Sequence, residues 1–242
     1  MSDIVFISDL HLMPERPDTL ALFIRFTEDI AANAKKLYIL GDFLEVWWGD
    51  DNPATGYQEV FNCLTKLATD YKTEIFFMHG NRDFMIGETL AKQCHFQIID
   101  DPHKINFRGK DILLMHGDTL CTDDIEYQQF RKMVRDPKWQ QHFLAKSLEE
   151  RYQIAKNIRD KSQQSTSIKS EYIMDVNQDE TDKVFIDNHI DLMIHGHTHR
   201  PAIHHKNING LETTRIVLSD WHETGSYLYL DDSSDLQLRT YR

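Results

Sequence analysis

The segment Ile4–His11, which reads IVFISDLH, joins four consecutive apolar residues directly to a polar stretch. A short, continuous apolar run is typical of a strand that is buried on both faces. Side chains two positions apart on an extended chain point the same way, so Asp9 and His11 would face a common ligand. The segment therefore predicts a buried strand that ends at a functional site.

The same arrangement occurs four more times. The further apolar runs are Leu37–Leu40, Ile75–Met78, Ile112–Met115 and Leu192–Ile194. They lead into Gly41-Asp42, Gly80-Asn81-Arg82-Asp83, His116-Gly117-Asp118 and Gly196-His197-Thr198-His199. The carboxyl ends of parallel strands open at one edge of a sheet, where ligands bind. The five motifs are thus expected to meet there.

Helical patterns separate the first three strands. Apolar residues recur at helical spacing in 19–32 and in 58–71. Alternation of strands and helices indicates an α/β layered fold. Farther on, 213–218 and 226–230 resemble strands with no helical pattern behind them, so we expect a second sheet region near the C-terminus.

The stretch from about 125 to 174 interrupts this alternation. Its apolar residues fall at helical spacing, and Pro137 divides the first helix from the second. Residues 126–171 hold ten Lys/Arg and six Asp/Glu, a net of about +4, while the remaining chain is near −16. We predict a single domain over 1–242 with a basic helical insertion at about 125–174.

Composition limits the possible partners and compartment. The net charge of −12 argues against duplex nucleic acid as a partner, and no obligate protein partner is evident. The three cysteines at 63, 94 and 121 form no CxxC pair, which favours a reducing cytoplasm. We expect neither a signal peptide nor a membrane-spanning helix.

The five motifs offer seven candidate metal ligands. These are Asp9, His11, Asp42, Asn81, His116, His197 and His199. Seven ligands suit two ions rather than one, and a carboxylate can bridge both. The mixture of imidazole, carboxylate and amide suits Mn, Fe or Zn better than Ca or Mg. Without thiolates a structural zinc site is not expected. Two such ions stabilise a phosphoryl group and activate water for its hydrolysis.

The order of these motifs resembles that of the calcineurin-like metallophosphoesterase superfamily, from residue 4 to about residue 200. The resemblance implies a double β-sheet sandwiched by helices. It also implies that Asp42 bridges two ions. Asn81, His116 and His197 would complete one site, and Asp9, His11 and His199 the other.

One position departs from the superfamily pattern. A histidine that can protonate an alcohol leaving group usually follows the motif asparagine, but this chain has Arg82. Arginine stays charged and cannot act as that acid, although it can bind phosphate through two hydrogen bonds. A phosphate leaving from a pyrophosphate needs no proton, so Arg82 favours anhydride hydrolysis. The alternative is that another residue, such as His195, supplies the proton.

Longer stretches carry a closer resemblance, to the family of UDP-2,3-diacylglucosamine diphosphatases. They are SDLHL at 8, GDFLEVWWGDD at 41, HGNRDF at 79, HGDTLCTDDIEY at 116 and HGHTHRP at 195. That family uses manganese. The resemblance implies two Mn²⁺ ions per chain and water attack on the α-phosphorus. The products would be UMP and 2,3-diacylglucosamine 1-phosphate, in lipid A biosynthesis.

The same resemblance implies roles for individual residues. The catalytic residues would be Asp42, Asn81, Arg82 and His197. The substrate contacts would be Asn81, Arg82, Asp124, Ser162, Thr166, Lys169 and His197. This chain has Thr166 where the family often has asparagine, which weakens the case for that contact.

A lipid-linked substrate gives the insertion two possible roles. As a lid, it could line an acyl groove with Phe130, Trp139, Phe143 and Tyr152, or these residues could simply pack on the main domain. Its basic, amphipathic helices could also contact anionic lipid, which predicts a peripheral protein on the cytoplasmic face of the inner membrane. The competing hypotheses are an esterase for soluble phosphoesters, a nuclease and a non-catalytic metal-binding scaffold.

Overall fold

The computed structural model describes residues 3–168, 175–231, 233 and 236–242, with the side chains of 163–168 left out. Two β-sheets pack face to face, and helices cover their outer faces. The predicted α/β fold with a double sheet is therefore confirmed.

The first sheet has six strands in the order β11-β10-β1-β2-β3-β4. Four of them run parallel: β1 (Ile4–Ile7), β2 (Lys36–Leu40), β3 (Glu74–Met78) and β4 (Phe96–Ile99). The antiparallel strands β10 (Gly225–Leu230) and β11 (Leu236–Tyr241) extend the sheet beside β1. The motifs that contain Asp9, Asp42 and Asn81 follow β1, β2 and β3.

The second sheet has five strands in the order β5-β6-β7-β9-β8. They are β5 (His103–Phe107), β6 (Lys110–Leu114), β7 (Leu192–His195), β8 (Ala202–Ile208) and β9 (Leu211–Val217). β6, β7 and β9 are parallel, and the motifs of His116 and His197 follow β6 and β7. Of the two strands predicted near the C-terminus, the first corresponds to β9, which lies in this second sheet, and the other to β10, which joins the first sheet.

Strand periodicity explains the layers. Along β1, Ile4 and Phe6 face the second sheet, where they pack with Leu114 and Ile194. Val5 and Ile7 face the opposite side, against the outer helices. Since neighbouring side chains alternate between faces, an all-apolar strand fills two cores at once. The buried strands thereby give the motif loops a rigid base.

Helices cover the outer faces of both sheets. α1 (Pro17–Asp29), α2 (Gln58–Thr69) and α3 (Glu88–Cys94) pack on the first sheet, and α7 (Gln178–Asn188) packs on the second. α1 buries Leu22, Phe23 and Phe26 on one face.

Three helices occupy the stretch of the predicted insertion: α4 (Ile125–Val134), α5 (Pro137–Leu144) and α6 (Leu148–Ile168). Asp124 and Asp136 cap the first two with hydrogen bonds to backbone N–H groups, and Pro137 occupies the start of α5. Residues 169–174 lie outside the described part of the chain. No helix in the described ranges has the length and apolar character needed to cross a bilayer.

Candidate metal centre

Five of the seven candidate ligands have left-handed backbone conformations. Their φ angles are 55° at Asp9, 47° at His11, 51° at Asp42, 66° at His197 and 54° at His199. This region is unfavourable for residues with a Cβ and is retained where the surroundings enforce it, often at functional sites. The chain thus turns sharply after β1, β2 and β7 and holds these polar side chains at the sheet edge.

Asp9, His11 and His199 form the first cluster. Nε2 of His11 lies 3.3 Å from Nε2 of His199, which lies 3.4 Å from Oδ1 of Asp9. Their potential ligand atoms all fall within 4.8 Å of one another. Two imidazole nitrogens and a buried carboxylate therefore converge on one point.

Asn81, His116 and His197 form the second cluster. Oδ1 of Asn81 lies 3.0 Å from Nε2 of His116 and 2.9 Å from Nδ1 of His197. His197 thus points Nδ1 into the cluster, which leaves Nε2 on the other side of its ring. Both predicted groups of ligands are brought together.

Asp42 lies between the clusters. Its Oδ2 is 3.8 Å from Nε2 of His11, and its Oδ1 is 3.8 Å from Nε2 of His116. The backbone N–H of Arg82 donates to Oδ1 at 2.8 Å, which fixes the carboxylate plane. With one oxygen toward each cluster, Asp42 has the placement of a bridging ligand.

Oxygen atoms stand behind three of the imidazole rings. Nδ1 of His11 lies 2.9 Å from Glu45, Nδ1 of His199 lies 3.4 Å from Asp220, and Nδ1 of His116 lies 2.9 Å from the carbonyl of Leu40. An acceptor at Nδ1 holds the proton there and leaves Nε2 as the ligand atom. Sequence reasoning missed Glu45 and Asp220, because only the folded chain shows which carboxylate stands behind which histidine.

Electrostatics favour charged carboxylates at this site. Burial by itself disfavours the charge of Asp9, but His199, His116 and His11 outweigh burial and hold the pKa of its carboxyl below the usual range. Burial also opposes the charge of Glu45, yet His11, Arg82 and Arg159 lower its pKa to about 2. The candidate ligand Asp9 and the carboxylate of Glu45 behind His11 are therefore both anionic at neutral pH.

Glycines leave space for the carboxylates. A Cβ at position 80 would lie 2.1 Å from Oδ1 of Asp42, and a Cβ at position 196 would lie 2.2 Å from Oδ2 of Asp9. Only glycine allows such a close approach of the backbone. Together with the carboxylate and imidazole donors, this cradle fits transition-metal ions.

Comparison with known proteins agrees with this geometry. Residues 2–201 match the model of the family described as Calcineurin-like phosphoesterase. This chain belongs to that family. Members of the family have a divalent metal centre, and the two clusters supply candidate ligands for it here.

Three relatives share the name UDP-2,3-diacylglucosamine hydrolase. The protein of Stenotrophomonas maltophilia (strain K279a) is 46% identical over 234 residues, which cover 94% of each chain. That of Hahella chejuensis is 48% identical, over 92% of this chain and 91% of its own. The protein of Marinobacter nauticus is 43% identical, over 97% of this chain and 96% of its own. The similarity thus extends through the insertion.

A cleft opens beside the second cluster of this phosphoesterase. Asn81, Arg82 and Arg159 supply polar lining, and Trp139 and Phe143 supply apolar lining. The lining of the cleft therefore combines charged and apolar side chains.

The aromatic residues of the insertion divide between the two predicted roles. Trp139 and Phe143 stack at 5.1 Å and line the cleft, although Phe143 is also buried in the core. Phe130 packs against the core, and Tyr152 stands half-exposed against Trp48. Trp139 and Phe143 therefore form an apolar wall of the cleft, whereas Phe130 packs on the main domain.

The other expected substrate contacts lie around the cleft or outside the described residues. Asp124 caps α4, whose first turn reaches the ring of His197. Ser162 follows Arg159 by one turn on α6, the helix that borders the cleft. The side chain of Thr166 and the whole of Lys169 lie outside the described residues.

His195 is not placed to donate a proton. Its Nδ1 donates to the carbonyl of Gly196 at 2.8 Å, and its Nε2 accepts from Arg215 at 3.0 Å. Burial, together with the positive charge of Arg215, lowers the pKa of His195 to about 3. The ring is therefore neutral and fully engaged, which disfavours His195 as the alternative acid.

Proposed function

We propose that this phosphoesterase hydrolyses the pyrophosphate of UDP-2,3-diacylglucosamine. The products would be UMP and 2,3-diacylglucosamine 1-phosphate, formed for lipid A biosynthesis by attack of water on the α-phosphorus. Relatives that are 43–48% identical over almost the whole chain carry the name of this hydrolase. The geometry independently favours a phosphoryl substrate with an apolar portion.

The observation that carries the proposal is the position of Asp42 between two clusters of candidate ligands, of which Asn81 also lines the cleft that contains Arg82. Two Mn²⁺ ions, held by Asp42 and the other six residues, would supply Lewis-acid stabilisation of the phosphoryl group and lower the pKa of water. The residues themselves orient the substrate and exclude competing ligands.

Arg82 would bind the pyrophosphate. Arg82 lines the cleft together with Asn81. Its backbone N–H donates a hydrogen bond to Asp42, which positions the residue relative to the candidate metal ligands. A phosphomonoester has a second pKa of about 6 and departs as a stable anion without a proton. The combination of Arg82 with an engaged, neutral His195 supports cleavage of an anhydride rather than an alkyl ester.

The insertion would recognise the lipid portion of the substrate. Trp139 and Phe143 offer an apolar wall, and Asp124, Ser162, Thr166 and Lys169 are proposed to bind the sugar and phosphate. His197 would contribute Nε2, the ring nitrogen that faces away from its cluster. Such a wall beside charged groups matches a molecule with acyl chains at one end and phosphates at the other.

We further propose that the insertion touches an anionic membrane surface from the cytoplasm. Several of its apolar side chains are exposed: Ile125 (64%), Met133 (48%), Leu144 (46%), Tyr152 (41%) and Leu148 (39%). The surrounding segment carries the net positive charge noted above. Apolar contacts combined with basic residues are the usual means of peripheral attachment.

The proposal is tested by incubating the protein with UDP-2,3-diacylglucosamine in ¹⁸O-water, first with Mn²⁺ and then with a chelator. We expect UMP only in the presence of metal, with the label on UMP. Hydrolysis that persists after chelation would contradict the metal mechanism. Cleavage of bis-p-nitrophenyl phosphate without any UMP would retain a phosphoesterase but overturn the lipid substrate.

A further inference from the structure

Tyr127, in the first turn of α4, covers one face of the His197 ring. The two ring centroids lie 5.8 Å apart and the planes make an angle of 29°, an offset stack. Tyr127 belongs to the insertion, whereas His197 follows β7 of the second sheet. The insertion therefore touches the candidate metal centre directly.

Hydrogen bonds hold Tyr127 both at its backbone and at its hydroxyl group. Its backbone N–H donates to the carboxylate of Asp124 at 3.1 Å, and its hydroxyl donates to the fully buried carboxylate of Asp118 at 2.5 Å. Asp118 also accepts from Nε of Arg131, one turn farther along α4, at 2.7 Å. The tyrosine ring is thus a fixed surface rather than a mobile side chain.

Tyr127 acts on the His197 ring in addition to the hydrogen bond between Nδ1 and Asn81. Its backbone N–H donates to Asp9 at 2.9 Å, which fixes the main chain but not the side-chain torsions. The His116 ring approaches it edge-on, at 5.0 Å and 66°. Tyr127 covers a flat face and so fixes the plane of the ring, while the hydrogen bond to Asn81 determines that Nδ1 is the nitrogen that faces the cluster.

We propose that Tyr127 is a positioning residue that holds the His197 imidazole in the orientation needed to bind the second metal ion. The inference rests on the proposed function, since it takes Asn81, His116 and His197 as ligands. It assigns α4 a role in building the metal centre, in addition to any contact with substrate.

The test compares Tyr127→Leu, which removes the flat ring, with Tyr127→Phe, which keeps the ring and loses only the hydroxyl. Mn²⁺ is titrated into each metal-free protein without substrate. Electron paramagnetic resonance distinguishes an isolated ion from a coupled pair. Tyr71→Leu, at an exposed tyrosine beside Lys66, is the matched control. Thermal unfolding verifies that each variant is folded.

We expect Tyr127→Leu to need roughly 10-fold or more Mn²⁺ to form the coupled pair, with the first ion bound as in the wild type. Tyr127→Phe and Tyr71→Leu should stay within about three-fold of the wild type, since both keep the stacked ring at position 127. A Tyr127→Leu protein that forms the pair normally would overturn the inference, as would equal losses in the Leu and Phe variants. A wild-type protein that never shows a coupled pair would instead overturn the two-metal proposal.

A second readout needs no metal. Proton–carbon spectra of the histidine-labelled, metal-free protein report the ring current that an aromatic neighbour exerts on His197. We expect the His197 ring protons to shift in Tyr127→Leu and to stay near their wild-type positions in Tyr127→Phe. Unchanged His197 signals in the Leu variant would show that the stack does not exist in solution.

Discussion

Glu45 accepts a hydrogen bond from Nε of Arg159 at 2.8 Å, across 114 positions of the chain. The other oxygen of Glu45 lies 2.9 Å from Nδ1 of His11. Arg159 belongs to α6 of the insertion, so Glu45 links that helix to a candidate ligand of the first cluster. Two separate contacts, this one and Tyr127 on His197, therefore join the insertion to the two clusters.

Replacing Glu45 with Gln should weaken metal binding at the first cluster. The amide removes a negative charge behind His11 and accepts the imidazole proton less strongly, so the ring becomes a poorer ligand. Loss of such a partner typically costs roughly 10–100-fold in metal affinity or activity. Calorimetric titration of the metal-free protein with Mn²⁺ measures the change. The exposed Glu59→Gln is the control, and equal affinities for the two variants would contradict the assigned role of Glu45.

Glu45 should also make the stability of the metal-free protein depend on pH. Its folded pKa of about 2 lies below the ordinary 4.5, so its charge stabilises the fold above pH 4.5, and that contribution disappears as the pH falls toward 2. The difference in unfolding free energy between the wild type and Glu45→Gln should be about 3 kcal/mol at pH 7 and less than half of that by pH 3. Urea unfolding at both values measures it. A difference independent of pH would show that Glu45 acts by packing rather than by charge.

The strands show how far local sequence predicts this fold. The apolar run at Ile4–Ile7 coincides with β1, and β2, β3 and β7 begin or end within one residue of their predicted limits. These strands are buried on both faces, so an unbroken apolar run is the only pattern that fits. β8 (Ala202–Ile208) escaped notice because this edge strand is largely exposed and its sequence is mostly polar.

The candidate site, like the fold, could be predicted from the sequence only in part. Candidate ligands such as Asp9 and Asn81 could be named because each follows a recognisable strand directly. Tyr127 and Asp220 could not, since their contacts with histidines depend on how distant segments pack. Nor did the strand patterns reveal which motifs belong to which sheet, because strand order is set by pairing between distant segments, such as Ile112 of β6 and Leu192 of β7.

Asp42→Asn should affect both clusters at once. The amide has no negative charge and only one oxygen, so it cannot present a carboxylate oxygen to each ion. We expect phosphodiesterase activity to fall by at least about 10³-fold, as for other groups central to charge stabilisation. Metal content after dialysis should drop below that of the wild type. The exposed Asp70→Asn should leave both values unchanged, and a Asp42→Asn protein with normal metal content would exclude the bridging role.

The exposed apolar residues of the insertion should govern membrane binding. Placing a charge there with the double variant Ile125→Glu and Leu144→Glu adds a desolvation cost at the lipid interface, so binding to vesicles rich in anionic phospholipid should fall at least about five-fold. Ile186→Glu, on α7 and 45% exposed, is the matched control. Co-sedimentation with vesicles measures both. Equal vesicle binding by the double variant and by Ile186→Glu would show that the membrane contact lies elsewhere on the protein.

Gly80→Ala should disable the centre while leaving most of the fold intact. The new Cβ would lie 2.1 Å from Oδ1 and 2.2 Å from the backbone nitrogen of Asp42, so the proposed bridging carboxylate has to move. Because a shift of about 1 Å at reacting groups can cost 10²-fold, activity should fall at least that much, with weaker Mn²⁺ binding. Gly109→Ala separates crowding from backbone strain, since its φ is 84° but nothing lies within 4 Å of the added Cβ. That variant should lose about 1–2 kcal/mol of stability to the left-handed conformation and keep its activity. A Gly80→Ala enzyme as active as Gly109→Ala would mean that the loop behind β3 can move aside, and that its close approach to Asp42 is not required for catalysis.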